Sequence, residues 1–154
     1  MKKARLSLRI FSLLLLIFLL AACATKTPRI EPPSGFATYS DREDSWAISP
    51  EGVLFRSRYE DHHPEQGLNF WSRALEKHLI DSGYSLIRTE DFSSPLGDGV
   101  LFEWSAPFAA ESWVYLTAFS LHEDQIAIVE VAGPYSHYQE YRDDIIASLK
   151  TLSP

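Results

Sequence analysis

Cysteine is almost missing from this sequence: Cys23 stands alone among 154 residues. A single thiol excludes an internal disulfide, a CxxC redox pair and a cysteine-cluster zinc site. Basic residues are scarce too, 14 Lys and Arg against 21 Asp and Glu, for a formal net charge of -7. A nucleic-acid binder needs a basic face, so that class is set aside. The seven glycines are scattered as turn formers and build no phosphate loop. No GxSxG elbow singles out a nucleophilic serine, and a Ser-His-Asp triad can be assembled in too many ways to mean anything. Nothing in the pattern asks for a cofactor. What the chain does have is a hydrophobic fraction of 45%, enough for one domain's core.

The basic residues that exist are unevenly placed. Lys2, Lys3, Arg5 and Arg9 precede an uncharged apolar run from Ile10 to Leu20, and then come Ala21, Ala22 and Cys23. A positive start, an apolar middle and small residues before a cut form the layout of a secretory signal. The stretch Ile10–Ala22 falls well short of the roughly 20 residues a membrane span needs. Removing residues 1–22 takes away those four cations and no acid, so the formal charge moves from -7 to -11. Such a body is repelled by an anionic lipid surface.

Leu20-Ala21-Ala22-Cys23 resembles the lipobox of bacterial lipoproteins. The resemblance implies cleavage between Ala22 and Cys23, lipidation of the Cys23 sulfur and acylation of the new amine. Several acyl chains hold a protein firmly where one does so only marginally. Ala24, rather than Asp, follows the cysteine; under the enterobacterial sorting rule this implies the inner leaflet of the outer membrane, facing the periplasm. Residues 23–36 contain Pro28, Pro32, Pro33 and Gly35 and few apolar side chains. They read as a lipidated cysteine with a Pro-containing tether, reaching up to about 35–40 Å.

Residues 37–154 read as a single domain. Ser45–Ser49 and Val53–Tyr59 alternate as strands around the Pro50-Glu51-Gly52 turn, which suggests a hairpin. Leu68, Trp71, Leu75 and Leu79 recur at helical spacing within Pro64–Ser82, with Phe70 and Ala74 widening the stripe and Gly83 placed for a left-handed cap. Four strands follow, Tyr84–Glu90, Gly99–Ala106, Ser112–Leu121 and Gln125–Ala132, joined by short polar links that favour an antiparallel meander. A last helix spans His137–Leu149, with Ser136 and Gln139 spaced as a capping box. The order β-β-α-β-β-β-β-α predicts an α+β two-layer sandwich, an antiparallel sheet of about six strands with two helices on one face.

This arrangement, carried by Val53–Tyr59, the Trp71–Leu79 helix, the Tyr84–Ala132 meander and the ending Ile145-Ile146-Ala147-Ser148-Leu149, resembles the PsbP/Mog1-like group. That group includes small bacterial lipoproteins and acts in assembly or binding. The resemblance is topological and transfers no functional residue.

Candidate chemistry is thin. Asp61, His62, His63 and Glu65 are the right residue types for a divalent ion or a metal-dependent hydrolase. Their spacing is poor, however, since adjacent histidines on an extended segment diverge, and a polar lead-in to a helix explains them equally well. Glu103 and Glu130 make a paired-carboxylate hydrolase on paper, and His78, His122 and His137 have no partner that sequence alone can supply. Arg56 and Arg58 share one strand face and can grip an anionic ligand or partner, or pair with acids across the sheet. Four Trp and seven Tyr exceed what a small core needs, so Trp104 and Trp113 join Arg56 and Arg58 as candidate ligand or partner contacts. The sequence therefore predicts a lipid-anchored, non-enzymatic adaptor or binding module of the cell envelope, attached to the membrane by its lipid and working with an envelope protein partner. The alternatives are a small-ligand binder with an apolar pocket and a metal-dependent envelope hydrolase.

Overall fold

The computed structural model describes residues 27–39, 44–106 and 112–154. The signal segment, its cleavage site and Cys23 lie outside the described residues. The elements run β1 (Ala37–Tyr39), β2 (Ser45–Ile48), β3 (Leu54–Asp61), α1 (Leu68–Asp81), β4 (Ser85–Ser94), β5 (Gly97–Ala106), β6 (Trp113–His122), β7 (Gln125–Pro134) and α2 (Tyr135–Leu149). All strands join one seven-stranded sheet in the order β1-β2-β3-β7-β6-β5-β4, and every pairing is antiparallel. The α+β class, the opening hairpin and the meander are as the sequence predicts. The seventh strand is the three-residue edge β1, too short to announce itself by alternation.

The helix termini follow local chemistry. Gly83, at φ 90°, ends α1. Its amide bonds the Ile80 carbonyl at 2.9 Å and the Tyr84 amide bonds that of Leu79 at 3.0 Å. This paired closure of the last carbonyls needs a residue that tolerates positive φ. At the other end α1 starts only at Leu68, after Gly67, leaving Pro64 and Glu65 in the connection. The capping box at Ser136 does not form, because β7 runs straight into α2 and Ser136 falls within the helix, behind Pro134 at the cap.

The two helices lie on opposite faces of the sheet, not on one. Alternate residues of a strand point to opposite faces. Leu101, Val114, Leu116, Ala127, Val129 and Val131 form a core with Tyr138, Ile145 and Leu149 of α2. Their neighbours Val100, Phe102, Trp104, Phe119 and Ile126 form a second core with Leu79, flanked by Leu68, Trp71 and Leu75 of α1. The sheet is thus the middle of three layers. The physical reason is that the central strands are apolar at both parities, as Val100-Leu101-Phe102 shows, and both faces need cover. Phe70 does not widen the buried stripe of α1; it is 49% exposed.

The segment read as a tether is docked from Pro28 onward. Arg29 and Ser153 exchange two backbone hydrogen bonds of 2.9 Å. The Glu31 amide bonds the Thr151 hydroxyl at 2.9 Å, and the Ser148 hydroxyl donates to the Glu31 carbonyl. Ile30 and Phe36 pack against the α2-side core, Phe36 edge-on to Tyr141 at 5.1 Å. Prolines bar helix here, but an extended backbone keeps its polar groups free to pair with the chain end, and two apolar side chains suffice to seat it.

Candidate functional site

On the α1 face the register lines up Arg56, Glu130 and Thr117 in one row and Arg58, Ile128 and Phe119 in the next. α1 crosses over β4 and β5. At its seam with β3, β6 and β7 lies a cavity of about 190 Å³ lined by Trp71, Leu75, Thr117, Phe119, Ile126 and Ile128, with Glu60 and Asp61 also contributing. Its walls are mainly apolar because they are the edge of the α1-side core. Two buried polar atoms among these lining residues, Trp71 Nε1 and Thr117 Oγ1, hold no hydrogen bond. The Thr117 hydroxyl neighbours Tyr115 without reaching hydrogen-bond geometry.

A charged ladder borders the cavity. Arg58 Nε donates to Glu130 Oε2 at 3.1 Å, and Arg58 also bonds Glu60. Arg56 reaches the same Glu130 oxygen at 3.4 Å and grips Asp44 through Nη2 at 2.6 Å and Nε at 3.0 Å. Its guanidinium sits 5.1 Å from the Trp46 ring. The Tyr115 hydroxyl donates to Glu130 Oε1 at 2.6 Å. Glu130 is therefore the hub. Arg56 and Arg58 do share a face, as their spacing implies, but both are spent on carboxylates across the sheet.

The remaining candidates do not converge. Trp104 is completely buried beneath α1 and presents no surface, so it cannot be a contact residue in this fold. Trp113 is half-buried at the far end of β6, paired with Ala106 and Pro134. Glu103 and Glu130 occupy opposite faces, Glu103 bonding Arg142 of α2, so they do not form a carboxylate pair. His62 is engaged locally, its Nε2 lying 2.7 Å from the Gln66 carbonyl and its Nδ1 3.3 Å from that of Glu123. His63 is exposed. Among the described residues no group of three or more His, Cys, Asp or Glu is placed to hold a metal ion. Glu130 entered the sequence reading only as a hydrolase carboxylate, and Tyr115, Asp44 and Trp71 had no site role. The signal for Glu130 is its opposite charge at the position facing Arg56, visible only once β3 and β7 are known to pair.

Two tyrosines have raised pKa values. Burial comes first for Tyr115, followed by the negative charge of Glu130; burial and then Glu103 act on Tyr138. Both hydroxyls stay neutral above their ordinary value of about 10. A folded-state pKa above the unfolded one gives stability that is fully present below about pH 10 and lost as the pH climbs toward the folded value. Each tyrosine steepens that decline by up to about 1.4 kcal/mol per pH unit. Urea unfolding between pH 9 and 11 should therefore show a falling midpoint, and Tyr115→Phe should flatten the fall. An equal slope in the variant would refute the assignment.

No protein-family model matches the sequence, and no curated protein matches it at a significant level. Solved structures do match. LpqN of Mycobacterium tuberculosis, described as involved in cell envelope biogenesis, aligns with a TM-score of 0.58 at 9% identity, covering 86% of this chain and 87% of LpqN. PA94 of Pseudomonas aeruginosa, a protein of unknown function, gives 0.55 at 10% identity, over 79% of this chain and 98% of PA94. The cyanobacterial PsbP, CyanoP, of Synechocystis sp. PCC 6803 gives 0.50 at 8% identity, over 82% and 92% of the two chains. The fold is shared with these proteins. At such identities the likeness extends to the fold alone.

Proposed function

We propose that this chain is a lipid-anchored protein of the cell envelope whose folded body is a non-enzymatic binding module. The observation that carries the binding role is the mainly apolar cavity at the α1 seam, ready-formed and bordered by a satisfied charge ladder. A preformed apolar recess with a few polar groups is the usual shape of a small-ligand site. It favours the ligand-binding form of the module, and the dispersed histidines and carboxylates give no support to the metal-dependent hydrolase. The envelope address draws on the lipobox-like Leu20-Ala21-Ala22-Cys23 and on Ala24, which together favour the outer membrane's periplasmic leaflet. It is also in keeping with the envelope role of LpqN. Among the described residues no helix is long and apolar enough to cross a membrane.

An adaptor role toward another envelope protein is the second reading, favoured by Ile80, Leu86 and Ile87, which are 50%, 39% and 46% exposed around the end of α1 and the start of β4. In either reading the leash is short. Four residue steps from Cys23 to Thr27 span at most about 14 Å, so the body would work close against the bilayer, held by lipid despite its negative charge.

Two measurements test the proposal. Cys23→Ser should lose its lipid label and move from the membrane to the soluble envelope fraction; an unchanged distribution refutes the anchor. Neutral 2-phenylethanol, titrated against the native protein, should shift the amide resonances of Thr117 and Ile128. It should leave a Leu75→Trp variant, whose cavity is filled, unperturbed. No shift in the native protein refutes the binding role of the cavity.

A further inference from the structure

The charge at the cavity has a definite sign. Asp44, Glu60, Asp61 and Glu130 face only Arg56 and Arg58 in the bordering ladder. Glu130 and Asp44 are consumed by the two guanidiniums, while Glu60 keeps a side chain 56% exposed. Asp61 lines the cavity, is exposed, and has no cationic partner in the ion pairs that its neighbours make. The adjoining turn adds Glu123 and Asp124, both exposed; Asp61 pairs with Gln125, and the His62 amide bonds the Asp124 carbonyl at 2.8 Å. An anion entering here would meet carboxylates, whereas a cation would meet a surplus of them.

The size is equally definite. A cavity of about 190 Å³ is close to the roughly 150 Å³ at which an apolar protein cavity takes up a benzene ring. Aromatic and branched aliphatic walls, from Trp71, Leu75, Phe119, Ile126 and Ile128, suit one ring or a compact alkyl group and nothing larger. The unpaired Trp71 Nε1 and Thr117 Oγ1 reduce the cost of admitting an occupant that carries a polar atom.

We propose that the cavity at the α1 seam binds a small organic ammonium ion, its single ring or compact alkyl group enclosed by Trp71, Leu75, Phe119, Ile126 and Ile128 and its cationic nitrogen held by Asp61 and Glu60. The proposal rests on the binding-module reading and specifies the ligand class for the same cavity.

Three near-isosteric probes separate the two: 2-phenylethylammonium, 2-phenylethanol and phenylacetate, each titrated against the native protein at low salt and followed by the Thr117 and Ile128 amides and by Trp fluorescence. The ammonium ion should bind about fivefold tighter than the alcohol, and the alcohol tighter than phenylacetate, since partly exposed charge pairs are worth modest factors that salt screens. Asp61→Asn should bring the ammonium ion close to the alcohol's affinity, with Glu60→Gln acting in the same direction and alcohol binding unchanged in both. Both substitutions are at exposed positions, so folding is preserved. If the alcohol binds while the ammonium ion gains nothing over it, or phenylacetate matches it, the charge inference is overturned and the binding role stands. If none of the three perturbs the cavity, both fall.

Discussion

Arg142→Ala should destabilise the protein by about 3–5 kcal/mol, the range seen when one partner of a buried ion pair is removed. Arg142 projects from α2 and bonds Glu103 through Nε at 2.7 Å and Glu90 through Nη2 at 2.7 Å. The Glu103 side chain is 2% exposed and that of Arg142 17%. Glu103 sits among Leu101, Val114 and Leu116 in the middle of the sheet, where a carboxylate has no water to turn to. The damage from losing Arg142 is mostly the stranded charge, not the lost attraction. The pair itself is a weak source of stability, because its own desolvation offsets much of the Coulomb term. Hence a double variant, Glu103→Leu with Arg142→Leu, should be clearly more stable than Arg142→Ala alone. In urea the single variant should lower the midpoint with the slope unchanged, and its thermal midpoint should drop by about 10–20 °C. A midpoint within error of the native protein would mean that Glu103 finds another partner or reaches solvent.

The same pair marks where sequence reading stops. Glu103 is flanked by Phe102 and Trp104, and its alternation looks like that of any outward-facing strand residue. Only the packing of α2 onto that face, through residues some 40 positions later, turns it inward. The hairpin, the meander and both helices are legible because each depends on local periodicity and turn residues. Leu68-Trp71-Leu75-Leu79 and the closing Gly83 are the clearest cases. The number of layers is a different matter. Consecutive buried residues such as Val100-Leu101-Phe102, and Ile126-Ala127 in β7, already state that the strands are covered on both sides, and that pattern rules out two helices on one face. The docking of residues 28–36 had no such signal. It depends on Ser148, Thr151 and Ser153, more than a hundred positions away.

The candidate site was legible to the same degree. The common face of Arg56 and Arg58 follows from alternation, but their meaning depends on Glu130 and Asp44, supplied by register and by the approach to β2. The cavity could not be read at all, since it arises where α1 ends its coverage of the sheet.

Trp104 carries the second large effect, and it decides between two uses of an aromatic residue. An excess of Trp and Tyr suggests a contact surface, yet Trp104 is 0% exposed. It lies opposite Tyr115 and Leu86 in the sheet, with its ring 5.6 Å from that of Phe102. Trp104→Ala should cost about 3–5 kcal/mol, the combined loss of transfer energy and opening of a cavity that closes only in part. Trp104→Phe should cost far less than its lost volume implies. The indole Nε1 is buried without a hydrogen bond, and such a donor carries a penalty of about 1–3 kcal/mol that phenylalanine does not have. The expected order is native and Trp104→Phe within about 1.5 kcal/mol of each other, with Trp104→Ala well below both in denaturant midpoint. A surface contact predicts the reverse, with both variants as stable as the native protein and the loss appearing only in binding. If Trp104→Ala unfolds at the native midpoint, the three-layer packing over β5 is wrong, and the α1 seam that forms the cavity is wrong with it.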